Sequence, residues 1–402
     1  MESIGKQVAI LMQGAEFGDP QIKEMMAGEL RQKLIDADKE GRPLRVYCGF
    51  DVTAPDIHLG HMVQLRKLRQ FQDFGHEVTF LIGTFTTLIG DPSDRDEARA
   101  EALQEVVRKN AQTYAEQALQ ILDPDKTTIR YNYDWLSKLS FADVISMASC
   151  FTVQQFIVRD RLRNRLDKND PIWLRELLYP LAQGYDAVHL KADVQLGGTE
   201  QLFNLMAGRR LQEAYGQKPQ VCLTYPVLVG TDGLQRMSKS TGNYIGVSEP
   251  PEQIYGKVMS IADNIMMTYF ESLTDTPTEE LRKIRQQLDE GVNPMEFKKR
   301  LARDIVTQLY DEQDANEAES HFQKVVQNKE LPDDIQEYKI SSGTSISVLV
   351  TEAGLVKSRS EASRLINQGA VTIDGEKVTD INLPVDAGKI IKVGKRRYLK
   401  TT

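Results

Sequence analysis

The sequence predicts an α/β chain: a doubly wound parallel sheet, then a helical segment, then a small α+β unit. Three observations carry this. Between residues 44 and 83 a strand, a helix and a second strand follow one another, the βαβ spacing of parallel pairing with a right-handed crossover. From about 250 to 330 the pattern turns helical and strongly charged. Beyond residue 343 a short helix alternates with short basic strands.

Taken in order, residues 20–41 read as a helix on Ile22, Met25, Met26, Leu30, Leu34 and Ile35, closing near Gly41. LRVYCGF (44–50) reads as a strand. Met62, Leu65, Leu68 and Phe71 then recur at helical spacing up to a stop at Gly75. EVTFLIG (77–83) is the next strand, and helical segments are expected around 97–121 and 141–166. QVCLTYPVLVG (220–230) reads as a further strand, running into the loop TDGLQRMSKSTGN. The stretch 331–343 has the composition of a linker. After it, a helix from Ser360 to Asn367 precedes strands in AVTIDGEKV and KIIKVGKRRYLK. The expected division is 1–245 for the α/β domain with a helical insertion, 246–330 for a helical domain, 331–343 for the linker and 344–402 for the small terminal domain.

Composition bounds the function. The 402 residues suit two or three domains, and 41% hydrophobic with 27% charged content is ordinary for a globular protein. Cys48, Cys150 and Cys222 are odd in number and far apart, against both a disulfide framework and a CxxC zinc site. The first apolar run, Val8 to Met12, is short for a signal peptide, and no segment approaches the roughly 20 apolar residues of a membrane span. A reducing cytoplasm and no membrane partner are expected. Residues 341–402 hold ten Lys/Arg against six Asp/Glu, a net of +4, while the remainder carries −12. A basic tail on an acidic body points toward an anionic polymer.

Two motifs carry chemistry. His58 and His61 fall where the first strand's carboxyl end meets the next helix, the place where open α/β sheets bind ligands and where helix N-termini favour phosphate. Gly60 between them lets a ligand approach the backbone. The imidazoles need not be bases: as hydrogen-bond donors they can stabilise charge building on a phosphate. The loop DGLQRMSKSTGN carries Arg236, Ser238, Lys239 and Ser240 between glycines, which suits a mobile clamp on a pyrophosphate leaving group. No GxxxxGK[ST] run is present, so the chain is not a P-loop enzyme.

HLGH and RMSKS resemble the HIGH and KMSKS signatures of class I aminoacyl-tRNA synthetases. YCGFDVTAPDIHLGH (47–61), LIGTFTTLIGDPSDRDEAR (81–99), YPLAQGYDAVHL (179–190), VQLGGTEQLFNLMAGR (194–209) and LQRMSKSTGNYI (234–245) narrow the resemblance to the bacterial tyrosyl-tRNA synthetases. It implies a Rossmann-like catalytic domain, an anticodon-side helical domain, and a homodimer whose interface includes residues 141–166. Arg236 stands for the first Lys of KMSKS, and GGTEQLFN for the GGSDQWGN of many relatives.

Site residues follow from the resemblance. Tyr47 and Asp186 would hold a phenol hydroxyl, so that phenylalanine is rejected because buried polar groups stay unpaired. Asp91, Tyr179 and Gln183 would bind the ammonium, with Gln201 nearby. Tyr179, Gln183 and Asp186 share one helix face, with Pro180 expected to kink that helix or mark its start. Gly49, Asp51, Thr53, Gly60, Gly198, Glu200 and Lys239 would bind ATP, which arrives with Mg2+. His58, His61, Arg236, Lys239 and Ser240 would be catalytic, and no metal site of the protein's own is expected. Arg95 and Arg99 match positions near phosphate or the tRNA acceptor. The terminal 60 residues resemble a small RNA-binding module of ribosomal proteins, through SRSEASRLINQGAVTIDGEKV. There Arg359, Arg364, Lys395 and Arg396 would contact tRNA(Tyr). The resemblance thus implies tyrosyl-adenylate formation followed by transfer to the terminal adenosine of tRNA. Two alternatives are a tryptophanyl synthetase, which lacks the Tyr47/Asp186 pair, and a synthetase-like RNA-binding protein without catalysis, which tends to lose signature residues.

Overall fold

A five-stranded, wholly parallel sheet forms the centre of the first of two units. The computed structural model describes residues 2–92, 104–157, 160–327, 335–340, 343–394 and 397–402. Its strands are β1 (Arg45–Phe50), β2 (Glu77–Ile82), β3 (Thr127–Tyr131), β4 (Val194–Gly198) and β5 (Val221–Tyr225), in the order β3-β2-β1-β4-β5. β1 pairs with β2 from Arg45↔Glu77 to Phe50↔Ile82, and with β4 from Val46↔Val194 to Cys48↔Leu196. The chain leaves β1 toward one edge and later returns to its other side. The switch point therefore lies between β1 and β4, where a crevice opens at the strand ends.

Both expected strands of the βαβ unit are present, joined by the helix Leu59–Asp73. β3 and β4 were not legible as strands. β3 (TTIRY) is a polar edge strand, and β4 (VQLGG) ends in two glycines, which strands disfavour. Proline at 226 stops β5 earlier than the apolar run suggested. The helix expected at 97–121 spans Gln104–Ala118 among the described residues. Among the described residues, the region 141–166 is helical over Phe141–Ala148, Val153–Ile157 and Asp160–Asp167, with a break between Ala148 and Val153 inside the helical segment expected there.

The helix Leu174–Leu190 runs through Pro180 without ending there. Proline there removes the hydrogen bond its missing N–H would have made and crowds the Glu176 carbonyl, within the helix's first two turns. This helix packs along Leu202–Ala214. Gly184 permits the approach: a Cβ there would lie 2.8 Å from Leu211 Cδ1 and 3.3 Å from the Gly208 nitrogen.

The first unit is Met1–Ala318 and the second Glu319–Thr402. Helices Pro251–Met259, Asp263–Leu273, Thr278–Asp289 and Pro294–Leu309 thus belong with the sheet. One tie is Arg66, buried on the helix Leu59–Asp73. It donates to the Ser272 carbonyl (3.2 Å) and pairs with Asp275 (2.7 Å).

In the second unit, β6 (Gln336–Tyr338), β7 (Val371–Ile373), β8 (Glu376–Lys377), β9 (Ile390–Val393) and β10 (Arg397–Thr401) form a sheet in the order β6-β10-β9-β7-β8. β6 comes from the stretch expected to be a linker and pairs in parallel with β10. Helices Ile346–Glu352 and Arg359–Asn367 contribute Leu349, Val350, Ala362 and Ile366 to a core with Val371, Ile391, Val393 and Leu399. The first of these helices was not anticipated.

Candidate active site

The crevice at the switch point holds two adjoining cavities. The inner one is lined by residues from β1, β4, the loop after β2, and the helix Leu174–Leu190. The outer one is lined by the turn before Leu59–Asp73 and the RMSKS loop. Thr53, His61, Gln64 and Glu200 border both.

In the inner cavity, Asp91, Tyr179, Gln183, Asp186 and Gln201 come together as expected, from segments far apart in sequence. Asp186 is 2% exposed. Its two oxygens accept from Trp135 Nε1 (2.8 Å) and Asn132 Nδ2 (3.2 Å). Burial pushes its pKa up to about 8, against the pull of those two bonds. Each oxygen retains a lone pair for a further donor.

Tyr47 departs from expectation. It is not among the side chains lining the cavity; it packs behind it, with Trp135, Ala182 and Ala187. Its hydroxyl is fully enclosed and makes no hydrogen bond of ordinary geometry. Burial and then the Asp186 charge drive its pKa well above the usual phenol value, opposed only weakly by the Gln220 amide. Tyr47 and Asp186 therefore remain electrostatic neighbours.

At the other end of the inner cavity, Tyr179 Oη donates to Asp51 Oδ2 (3.1 Å) and Thr86 Oγ1 to Asp51 Oδ1 (2.7 Å). Asn132 Nδ2 donates to Thr86 Oγ1 (3.1 Å). One chain of hydrogen bonds therefore runs from Asp186 through Asn132 and Thr86 to Asp51. Gln201 Nε2 donates to Asp91 Oδ2 (2.6 Å), and Asn204 Nδ2 to Gln201 Oε1 (3.0 Å). Gln183 Oε1 is buried with no hydrogen-bond partner. Gly49, Gly198 and Glu200 border this cavity beside the ends of β1 and β4.

The histidines are built into the helix start. His58 is the N-cap of Leu59–Asp73, and its Nδ1 accepts from the Gly60 N–H (3.1 Å). His61 Nδ1 accepts from the His58 N–H (3.3 Å), closing a reciprocal box. The rings stack at 4.0 Å, and His61 also meets the edges of Phe50 (5.9 Å) and Tyr114 (6.1 Å). Burial lowers the His58 pKa to about 2 and that of His61 to about 4. Each imidazole is therefore neutral at pH 7. Because each Nδ1 is an acceptor, the proton sits on Nε2, and both rings offer N–H donors. Gly60 also serves this geometry: a Cβ there would lie 2.8 Å from His58 Cε1.

The RMSKS loop, expected to be a mobile clamp, is tied to Asn243 by hydrogen bonds. Asn243, 4% exposed, accepts from the Ser238 N–H (2.8 Å) and Thr241 Oγ1 (2.6 Å). It donates to Asp232 (2.8 Å) and the Arg236 carbonyl (3.1 Å). Arg236, Lys239 and Ser240 face the outer cavity with His58 and Gly60. Lys239 pairs with Asp56 and lies 5.4 Å over the Tyr244 ring. Asn132, Trp135, Thr86, Asp56 and Asn243 were missed by sequence reasoning. The first two follow β3 in NYDW, a polar-aromatic run after a strand too polar to be recognised.

Arg359 and Arg364 are exposed on the second unit's helix Arg359–Asn367. Lys395, Arg396, Arg95 and Arg99 lie outside the described residues.

Comparison with known proteins agrees with this geometry. The family described as tRNA synthetases class I (W and Y) matches residues 39–327, and the S4 domain matches 346–391. The chain is 50% identical over 382 residues to a tyrosine–tRNA ligase of Carboxydothermus hydrogenoformans, covering 92% of this chain and 93% of that one. It is 47% identical over 407 residues to that of Syntrophotalea carbinolica, covering 100% and 98%. Among solved structures, the fold is similar to a tyrosyl-tRNA synthetase of Archaeoglobus fulgidus complexed with L-tyrosine (TM-score 0.61, 23% identity, 79% of this chain and 99% of that one). A mitochondrial tyrosyl-tRNA synthetase of Aspergillus nidulans gives a TM-score of 0.65 at 20% identity, over 81% and 94%. On the sequence identity and its span, the chain belongs to the bacterial tyrosyl-tRNA synthetases, within the class I (W and Y) group.

Proposed function

We propose that the chain activates L-tyrosine with Mg2+-bound ATP and passes the tyrosyl group to the terminal adenosine of tRNA(Tyr). The observation that carries this is the joining of the two cavities: a buried carboxylate at the closed end of one, and paired neutral imidazoles with Arg236 and Lys239 around the other.

The tyrosine phenol lies at Asp186, with Tyr47 behind the cavity wall as an electrostatic neighbour of that carboxyl. Its ammonium faces Asp91, Tyr179 and Gln183, with Asp51 and Gln201 adjacent. Its carboxylate, already ionised, attacks the α-phosphorus in line, so no general base is required. The Nε2–H groups of His58 and His61 donate to phosphate oxygens as charge builds, and Lys239 and Arg236 hold the departing pyrophosphate. Ser240 lines the same outer cavity. Gly49, Thr53, Gly60, Gly198 and Glu200 border the space for adenosine and triphosphate. Magnesium enters with the nucleotide. Arg359 and Arg364, and by resemblance Lys395 and Arg396, contact tRNA.

The chain acts as a homodimer in this reading. Phe141 (80% exposed), Ile145, Val153, Trp173 and Leu174 leave apolar surface uncovered around the helix Phe141–Ala148, the start of Val153–Ile157 and the start of Leu174–Leu190. A cytoplasmic location fits. Among the described residues no helix is long and apolar enough to cross a membrane.

Pyrophosphate exchange into ATP, run separately with tyrosine, tryptophan and phenylalanine, tests the assignment. Exchange with tyrosine alone supports it; exchange with tryptophan, or with none of the three, overturns it.

A further inference from the structure

We propose that His189 is a positioning residue for recognition of the tyrosine hydroxyl, holding Trp135 in the orientation that fixes Asp186. The proposal rests on the functional reading above and adds a residue to it that touches neither substrate nor nucleotide.

Asp186 and His189 are three apart on the helix Leu174–Leu190 and so share a face. Both meet the same indole. Asp186 Oδ1 accepts from the Trp135 ring edge at 2.8 Å. The His189 ring lies flat on the Trp135 ring, centroids 4.2 Å apart and planes 14° from parallel. The indole is thereby held at its edge and on its face by one rigid element. The Nε1–H direction follows the ring plane, so the stack sets where Asp186 finds its donor.

Trp135 also packs in a hydrophobic cluster with Tyr47, Leu136 and Ala182, which buries the indole but leaves its outer face to His189 and Arg130. It sits in Tyr133–Leu136, a helix of four residues, too short to be stable without packing. Trp135 is 5% exposed, whereas His189 lies at the surface and forms its cover together with Arg130, whose guanidinium carbon is 5.5 Å from the indole centroid. Burial against the indole, then Arg130 and Lys138, lower the imidazole pKa, so the ring stacks in its neutral form at pH 7. The other Asp186 donor, Asn132, is fixed independently: its Oδ1 accepts from the Phe85 N–H at 2.8 Å. Loss of His189 therefore loosens one of the two donors and leaves the other.

The test is tyrosine-dependent pyrophosphate exchange by the full chain carrying His189→Ala or His189→Phe. An offset aromatic stack of this kind corresponds to about a three- to tenfold effect. We expect His189→Ala to raise KM for tyrosine by that factor and to reduce the tyrosine-over-phenylalanine preference equally. KM for ATP should stay within twofold, and His189→Phe, which keeps the stack, should restore the wild-type values. Wild-type exchange with tyrosine establishes the underlying activity. Given that, an unchanged tyrosine KM in His189→Ala overturns the proposal alone. So does a joint rise in both substrates' KM that His189→Phe fails to reverse, which is the behaviour of a purely structural contact.

Discussion

Replacing His58 by Asn separates its two tasks. Nδ1 caps the helix Leu59–Asp73 through the Gly60 N–H, while Nε2–H remains to donate toward phosphate. Asparagine is among the best N-cap residues, so the cap survives with a change of a few tenths of a kcal/mol. The donor does not survive. A hydrogen bond to a charged group contributes roughly 1.5–3 kcal/mol, which converts to about a 10- to 150-fold fall in kcat. Because the bond strengthens as the phosphate gains charge, KM for tyrosine should hold steady. Pyrophosphate exchange at saturating ATP, paired with urea unfolding, measures both quantities. With the His58 pKa pushed to about 2 and that of His61 to about 4, neither ring titrates between pH 6 and 9. No inflection near 6.5 should therefore distinguish wild type from His58→Asn. An unchanged kcat with a stability loss above about 1 kcal/mol would mean that His58 is a cap and nothing more.

Three further outcomes are expected. Asp56→Asn frees Lys239 from a half-exposed ion pair that the triphosphate must otherwise displace; KM for ATP should fall by up to about fivefold, the range of such pairs, and a rise would contradict the reasoning. Asn243→Ala removes a buried hub of the RMSKS loop, so kcat should drop roughly 10- to 100-fold by loss of bonds to the Ser238 and Arg236 backbone, with tyrosine binding measured by fluorescence unaffected. The pKa of Asp186 rises on folding from 3.8 to about 8, so its stabilising contribution is complete below pH 4 and is lost as pH climbs through 8. Without ligand, the melting temperature of Asp186→Asn relative to wild type should therefore increase from pH 4 to 8 and then level off; a difference that shrinks over that range refutes the assignment.

Much of the site was legible because its chemistry is local in sequence. His58 and His61 sit on one helical turn, and their three-residue spacing alone places both rings at the same end of the helix. Tyr179, Gln183 and Asp186 share a helix face, and the 3.6-residue period brings all three to the cavity despite Pro180. What stayed hidden depends on long-range pairing. β3 and β4 are strands because neighbours in the sheet accept them, and their own residues are too polar or too glycine-rich to say so. With β3 unread, Asn132 and Trp135 had no place. Depth was equally invisible: Tyr47 alternates along β1 like any strand residue, and only the packed sheet puts it behind the cavity wall. β6 reads as linker because its pairing with β10 bridges about 60 residues of sequence.

The central claim is that a buried carboxylate reads one hydroxyl. Equilibrium binding of tyrosine and of phenylalanine to wild type and to Asp186→Asn tests it most directly. The structure predicts strong preference for tyrosine in wild type and, in the variant, weakened tyrosine binding with most of that preference gone. Undiminished preference in Asp186→Asn would contradict it.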